Sequence, residues 1–479
     1  MLVLGIHADV WLGLFATSQW VIRAGALLVV PFRRSPEAAK GWLLLFMVAP
    51  WPATLVYAVI GRARHPKWRR ERVAKLPTVV WEALIDAREA LAATVAEPPA
   101  QLAPIAALGH AIGRMPVLGA NQIELEPVYE EVIAKLAADI DGARDHVHLM
   151  FYIFADDHTG DAILSALERA VVRGVTCRLM IDAFGSGASR RAIAKRLAGS
   201  GIDLRIILPV RFWGKVSRAD MRNHRKIAVI DGRTGWMGSQ NIVDAGGEAG
   251  TPNRELMVRV TGPIVAELQI VFIGDWFLET ETALRDDSLF PSPSTEGGST
   301  AQAVASGPDY PCARIDMLFV ALIEAARQRV VLTTPYFIPS EPLLFALRSA
   351  GLRGIDVTLI VSAASDSRFI DLAQSSYFEE LLEAGITIAL CETNFLHAKH
   401  VSVDDDIAVI GSSNMDMRSF ELNSETTLIC YDRAVVEQLR RLEQGYRTGG
   451  RVLDRESWGT RGLTNKIAGN LARLVSPLL

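Results

Sequence analysis

Two apolar stretches open the chain. Residues 41–60 run for 20 positions without a charge, and residues 10–32 run for 23 interrupted only by Arg23. About 20 apolar residues cross the ~30 Å hydrocarbon core of a bilayer. Residues 1–62 therefore predict a transmembrane helical hairpin, with the second stretch the stronger span. Pro50 and Pro52 predict a kink there, which membrane helices tolerate. Trp11, Trp20, Trp42, Trp51 and Tyr57 suit helices that meet a headgroup interface. A cleaved signal peptide fits poorly, because residues 1–9 hold no Lys or Arg and the apolar run exceeds the usual ~7–15 residues.

After a basic, Ala-rich helical connector (63–115), the apolar pattern repeats itself. Residues 147–154 (VHLMFYIF) match 330–338 (VVLTTPYFI) with one extra residue, and 173–182 (RGVTCRLMID) match 353–362 (RGIDVTLIVS). Likewise 200–208 (SGIDLRIIL) match 384–392 (AGITIALCE). Each copy reads as strand, helix, strand, helix, strand and a further motif-bearing strand. That alternation predicts an α/β layer fold on a parallel or mixed sheet. The first unit spans 116–290 and the second 309–479, with the Pro/Gly/Ser-rich stretch 291–308 expected as a linker. Within the second unit, Leu463, Ile467, Leu471, Leu474 and Leu478 recur at helical spacing. This C-terminal amphipathic segment suits either a membrane surface or packing on the body.

Composition narrows the class. At 50% hydrophobic and 22% charged residues, with mean hydropathy +0.21, the chain is neither disordered nor a polytopic membrane protein. The net charge of −4 conceals a division. Residues 1–75 carry 11 Lys and Arg against 3 Asp and Glu, and the rest carry 39 against 51. The basic excess (Arg62, Arg64, Lys67, Arg69, Arg70, Arg72 and Lys75, with Arg33, Arg34 and Lys40 between the spans) thus lies beside the apolar segments. Such flanks stay cytoplasmic and favour anionic lipid, so two spans leave the N-terminus and the body in the cytoplasm. A nucleic-acid partner is not expected from an acidic body. Cys177, Cys312, Cys391 and Cys430 are too widely spaced for a disulfide framework or zinc site and read as reduced core thiols.

The chemistry lies in the motif that closes each unit. His224, Lys226, Asp231, Gly238, Ser239 and Asn241 recur as His397, Lys399, Asp404, Gly411, Ser412 and Asn414, both following HxKx4Dx6GSxN. On a strand alternate side chains share a face, so His and Lys point together while the aspartates, of opposite parity, are placed to brace the turn. The GS pair lets backbone approach an anion, and Ser239, Ser412, Asn241 and Asn414 offer donors to a phosphate. Two units meeting face to face would set two imidazoles and two ammonium groups around a phosphodiester. One imidazole can attack phosphorus and the other protonate the leaving alkoxide, with the lysines stabilising charge on the phosphoryl oxygens. No metal or other cofactor is called for. Glu255 and Glu425, following their units' histidines by 31 and 28 residues, are the candidate acceptors that fix the imidazole tautomers.

The paired motifs resemble those of the phospholipase D superfamily. The order of features, TPYFIP at 334–339, GSSNMDMRSFELNSE at 411–425 and the terminal SPLL are similar to bacterial cardiolipin synthases, over nearly the whole chain. This resemblance implies two tandem phospholipase D-like units facing one another. The catalytic set it implies is His224, Lys226, Asp231, His397, Lys399 and Asp404, with His224 as nucleophile and His397 as general acid. It also implies a ping-pong transfer of phosphatidyl from one phosphatidylglycerol to another, at the bacterial inner membrane. The sequence leaves the oligomeric state open.

The motif alone is blind to the acceptor, since water or another alcohol could resolve the same intermediate. A nuclease is disfavoured by the acidic body, and an inactive scaffold by the intact histidines and lysines. His146 and His148 on one strand could mark a metal pair, but no acidic or cysteine partner lies nearby in sequence.

Overall fold

In each half a motif strand lies in the middle of a mixed sheet, and the two half-sheets run together into one. The computed structural model describes residues 2–3, 6–61, 65–209, 220–246, 253–310, 314–363, 365 and 367–476. Arg62, Arg64, Cys312 and Leu478, with the last three residues of the SPLL stretch, lie outside the described residues.

In the first half, strands Asp203–Ile207, Thr176–Asp182 and His146–Phe151 pair in parallel. Strand Ile227–Ile230 then joins His146–Phe151 antiparallel, followed by Thr234–Gly238, Met257–Thr261 and Leu118–Glu126. The second half repeats this order with Thr387–Cys391, Asp356–Ser362, Arg329–Thr334, His400–Val403, Ile407–Gly411, Asn423–Cys430 and Ser299–Ser306. Leu118–Glu126 and Ser299–Ser306 pair antiparallel and close the seam. Helix Ile264–Thr280, buried on nearly every side, and helix Arg433–Thr448 share one face of the sheet with connector helix Leu76–Leu91. Separate apolar clusters cover the opposite face of each half.

The 291–308 stretch is not a linker throughout. Its second part, Ser299–Ser306 (STAQAVAS), is a central strand whose last six residues are buried. Small residues suit it because helix Ala103–Gly113 presses close: a Cβ on Gly113 would come within 3.0 Å of Val304 Cα. A composition typical of linkers is here one typical of tight packing.

The N-terminal reading also needs correction. The first stretch is one continuous helix, Ala8–Val29, long and apolar enough to cross a membrane. The second breaks into Pro36–Val48 and Pro50–Ile60. Ala49 leaves the helical region (φ −137°, ψ 74°), as a residue before proline tends to do. The pieces fold back on each other, bringing the Trp42 and Tyr57 rings to 4.9 Å. A straight helix would separate them by about 22 Å at 1.5 Å per residue, so this stretch is a folded-back helical wedge and not one continuous helix. Arg23 donates to Met47 O, a carbonyl that the break leaves without a helical partner. Buried Arg69 ties the connector to the body through Glu279 and Asp309, and Arg72 through Leu278 O.

Candidate active site

The extended residues leading into strands Ile227–Ile230 and His400–Val403 carry the two His-x-Lys pairs. Each lead-in runs beside the other half of the molecule. Arg222 and Asn223 pair in parallel with Asn423 and Ser424, and His224 N donates to Ser424 O at 2.9 Å. Reciprocally, Leu396 bridges Arg254, and His397 N donates to Arg254 O at 2.8 Å. This backbone crossing decides which glutamate meets which histidine.

His224 Nδ1 lies 3.1 Å from both carboxylate oxygens of Glu425 and from Ser412 O. His397 Nδ1 lies 2.7 Å from Glu255 Oε1. Glu255 and Glu425 therefore hold the imidazoles as expected, but each serves the histidine of the opposite unit, contrary to the within-unit order in sequence. An Nδ1–H donated to carboxylate leaves Nε2 as the free reactive nitrogen.

Ser239 and Ser412 do not face a phosphate. Their hydroxyls donate to Glu255 Oε2 and Glu425 Oε2, both at 2.5 Å, and accept from Leu256 N and Thr426 N at 2.9 and 3.0 Å. They fix the carboxylates that fix the imidazoles. Asn241 accepts from Ile153 N at 3.1 Å. Asn414 N donates to Ser419 Oγ, while its Oδ1 is buried with no hydrogen-bond partner among the described residues.

The aspartates brace the scaffold and do not enter the site. Asp231 accepts from the backbone N–H groups of Arg144, Asp145 and His146, and Asp404 from those of Arg327, Gln328 and Arg329, all at 2.8–2.9 Å. Both sit at positive φ (53° and 47°), where aspartate is better tolerated than most residues. Their place in the catalytic set is corrected to a supporting one.

Lys226 Nζ donates to His224 O at 2.7 Å and Lys399 Nζ to His397 O, which curls each ammonium beside its own histidine. Burial lowers Lys226 to about 7 and Lys399 to about 8, with Glu425 and Glu255 pulling upward. Burial lowers the His224 imidazole to about 4 against the pull of Glu425, and lowers His397 against that of Glu255. For the glutamates, burial pushes upward, but the facing histidine and nearby lysine outweigh it and hold both below the usual carboxylate value. At neutral pH the site thus holds two neutral imidazoles, two carboxylates, a mostly protonated Lys399 and a Lys226 near half protonation, whose charge an anion would complete.

Tyr152 sets its ring edge-on to His224 at 4.9 Å, and Phe395 stacks on His397 at 5.7 Å. Sequence reasoning passed over both, although Tyr152 and Tyr336 stand at matching places in the repeat. It also passed over Arg225, whose buried guanidinium pairs with Asp275 and donates to Glu425 O and Ser306 O. His146 and His148 flank the Gln269 carboxamide at 3.2 and 3.0 Å, and Arg178 donates to His148 Nε2 at 2.9 Å. Their facing nitrogens are occupied within the core.

Comparison with known proteins agrees with this geometry. The model of the cardiolipin synthase, phospholipase D-like domain matches residues 136–276 and 319–444. Cardiolipin synthase A of Pectobacterium atrosepticum is 33% identical over 98% of both chains. The protein of that name from Yersinia pseudotuberculosis is 32% identical over the same share. Among solved structures, the phosphatidylserine synthase of Haemophilus influenzae shares the fold with a TM-score of 0.61 at 16% identity, covering 78% of this chain and 99% of that one. Two copies of one domain model and a likeness running almost end to end place the chain in the cardiolipin synthase family of phospholipase D-like proteins.

Proposed function

We propose that this chain is a phosphatidyltransferase that makes cardiolipin and glycerol from two molecules of phosphatidylglycerol. The observation that carries the proposal is the crossed pair of His–Glu dyads, each with a buried lysine beside it. His224 Nε2 attacks phosphorus of the first lipid, and the bond from phosphorus to the glycerol oxygen breaks. His397, which takes up a proton at Nε2 as the anionic phosphodiester binds, gives that proton to the departing glycerol and returns to neutral, leaving phosphatidyl on His224. The glycerol hydroxyl of a second lipid then attacks phosphorus, its proton passes to His397, and the bond to His224 breaks. Lys226 and Lys399 stabilise the negative charge that builds on the phosphoryl oxygens. His224 suits the nucleophile because it stays neutral well below physiological pH.

The partner is phosphatidylglycerol within an anionic bilayer of the bacterial inner membrane. Helix Ala8–Val29 is the crossing element. Arg33, Arg34 and Lys40 follow it directly, and such residues are retained on the cytoplasmic side, together with the catalytic body.

The test is a product assay on the full-length protein in phosphatidylglycerol micelles with chelator present. Cardiolipin and glycerol in equal amounts, both lost in His224→Ala and in His397→Ala, are expected. Phosphatidic acid without cardiolipin would mean that water is the acceptor and the protein a hydrolase.

A further inference from the structure

The C-terminal helix Leu463–Val475 is amphipathic in the inverse sense to a soluble helix. Its charges face the protein: Lys466 pairs with Glu379 at 3.0 Å and Arg473 with Glu380 at 2.6 Å, both on helix Arg368–Glu383. Its apolar residues Leu463, Ile467, Leu471 and Leu474 face outward and are exposed. The same helix also packs against Pro36–Val48 of the N-terminal wedge, so its apolar stripe continues the exposed apolar surface of the N-terminal helices.

Under this junction lies a cavity of about 610 Å³, lined by Lys40 of the wedge, Tyr377, Leu474 and Arg473. A second cavity of about 270 Å³ shares the lining residues Ile338, Met417 and Ser476 with it and is also lined by Asn414, Asp416 and Arg418. Asp416 is close enough to Lys399 to affect its charge. Asn414, the last residue of the second motif, presents the buried Oδ1 that lacks a partner among the described residues. The larger cavity falls in the range of small-molecule sites, about 300–1,000 Å³, room for part of a phospholipid. Apolar walls, the Lys40 ammonium at a rim where Arg473 is paired with Glu341 and Glu380, and an inner end at Asn414 of the second motif are features that suit an anionic lipid.

We propose that the two cavities form one seat for the acceptor phospholipid, with acyl chains under helix Leu463–Val475 and the polar head in the smaller cavity, its hydroxyl facing Asn414. The proposal rests on the phosphatidyl-transfer reading and adds where the second lipid enters. Lys40 at the rim attracts the anionic lipid as it enters, and Leu474 and Met417 meet the chains. The junction with the wedge opens the seat toward the bilayer, so the lipid slides in from the side without crossing water.

The full-length protein with Asn470→Trp, which fills the larger cavity from an exposed position, tests the seat. Turnover of dihexadecanoyl phosphatidylglycerol in vesicles is compared with that of the soluble dihexanoyl lipid. The ratio of kcat/KM, long chain to short, is expected to fall about tenfold. Lys40→Glu should lower it in the same direction by about threefold. An unchanged ratio in both variants overturns the proposal. The ratio is read on whichever product forms, so a protein that yields only phosphatidic acid refutes the synthase reading and leaves this test intact. A phosphatidylglycerol carrying a photoreactive group at the chain end should label peptides from Leu463–Val475 or around Met417. Labelling confined to Ala8–Val29 overturns the seat.

Discussion

The two halves of the site present the same groups on unlike supports. In both, a histidine is held by a glutamate that a motif serine fixes, and a lysine curls beside it. Behind the first motif the support is polar. Asn223 N donates to Asp182, and Arg225, between His224 and Lys226, pairs with Asp275 in the core and holds Glu425 O. Behind the second, Leu396 and Ala398 fill the corresponding places, and Leu396 N donates to the neutral Ser362 hydroxyl. Groups that meet substrate are repeated because the chemistry admits few alternatives. Groups that only hold them can be ionic or apolar, provided that no buried charge is left unpaired.

The largest effect should come from the histidines. His224→Ala and His397→Ala are each expected to lose at least about 10⁴-fold in kcat. An aryl phosphodiester, whose leaving group needs no proton, separates the halves. Turnover should return in His397→Ala and stay absent in His224→Ala, and the reverse result would exchange the two roles.

Next come the glutamates. Glu425→Gln and Glu255→Gln are expected to cost about 10²–10⁴-fold through loss of the reactive tautomer. Because the dyads are crossed, the aryl substrate should rescue Glu255→Gln, whose histidine is the acid, but not Glu425→Gln. Rescue of Glu425→Gln alone would restore the pairing by order in sequence.

The supports are compared by stability. Asp275→Asn leaves the Arg225 guanidinium buried and short of its counter-ion, and should lower stability by about 3–5 kcal/mol in chemical unfolding. The double substitution Arg225→Met with Asp275→Leu should regain most of that. If it does not, the polar support has a role beyond holding geometry.

The smallest effect is that of pH on binding of dimethyl phosphate, measured by calorimetry without turnover. The lysines attract the anion only when protonated. Their lowered values of about 7 and about 8 place the loss of affinity in the window where pH rises through those values. Between about pH 6 and pH 9 affinity should fall about tenfold or more. His224, neutral above about 4, contributes no slope there. Constant affinity across the window would mean that the lysines keep their charge in the empty site.

Local order in the sequence was enough for the repeat, the two motifs and the bracing parity of the aspartates, since strand alternation and turn geometry involve only near neighbours. It was enough too for Glu255 and Glu425 as partners of the histidines, but not for which served which. That depends on Asn223 lying along Ser424 and Leu396 along Arg254, contacts between residues about 140–200 positions apart that carry no spacing rule. The strand Ser299–Ser306 was hidden for a related reason: alanine and serine in a tight seam look the same in sequence as alanine and serine in a linker. Arg225 occupied a variable position of its motif, and its counter-ion Asp275 came from a helix with no sequence signal toward it.

The N-terminal region shows the same division in one segment. Sequence determined that residues 41–60 are apolar and that Pro50 interrupts them. Only the tertiary structure decided that the interruption is a fold-back, which packs Trp42 against Tyr57 and lets Arg23 cap the freed carbonyl. Sequence thus determined the reactive groups and their local geometry, which bonded neighbours impose. Tertiary structure decided their pairing, their burial and therefore their charge, because these depend on which distant segments exclude water from them.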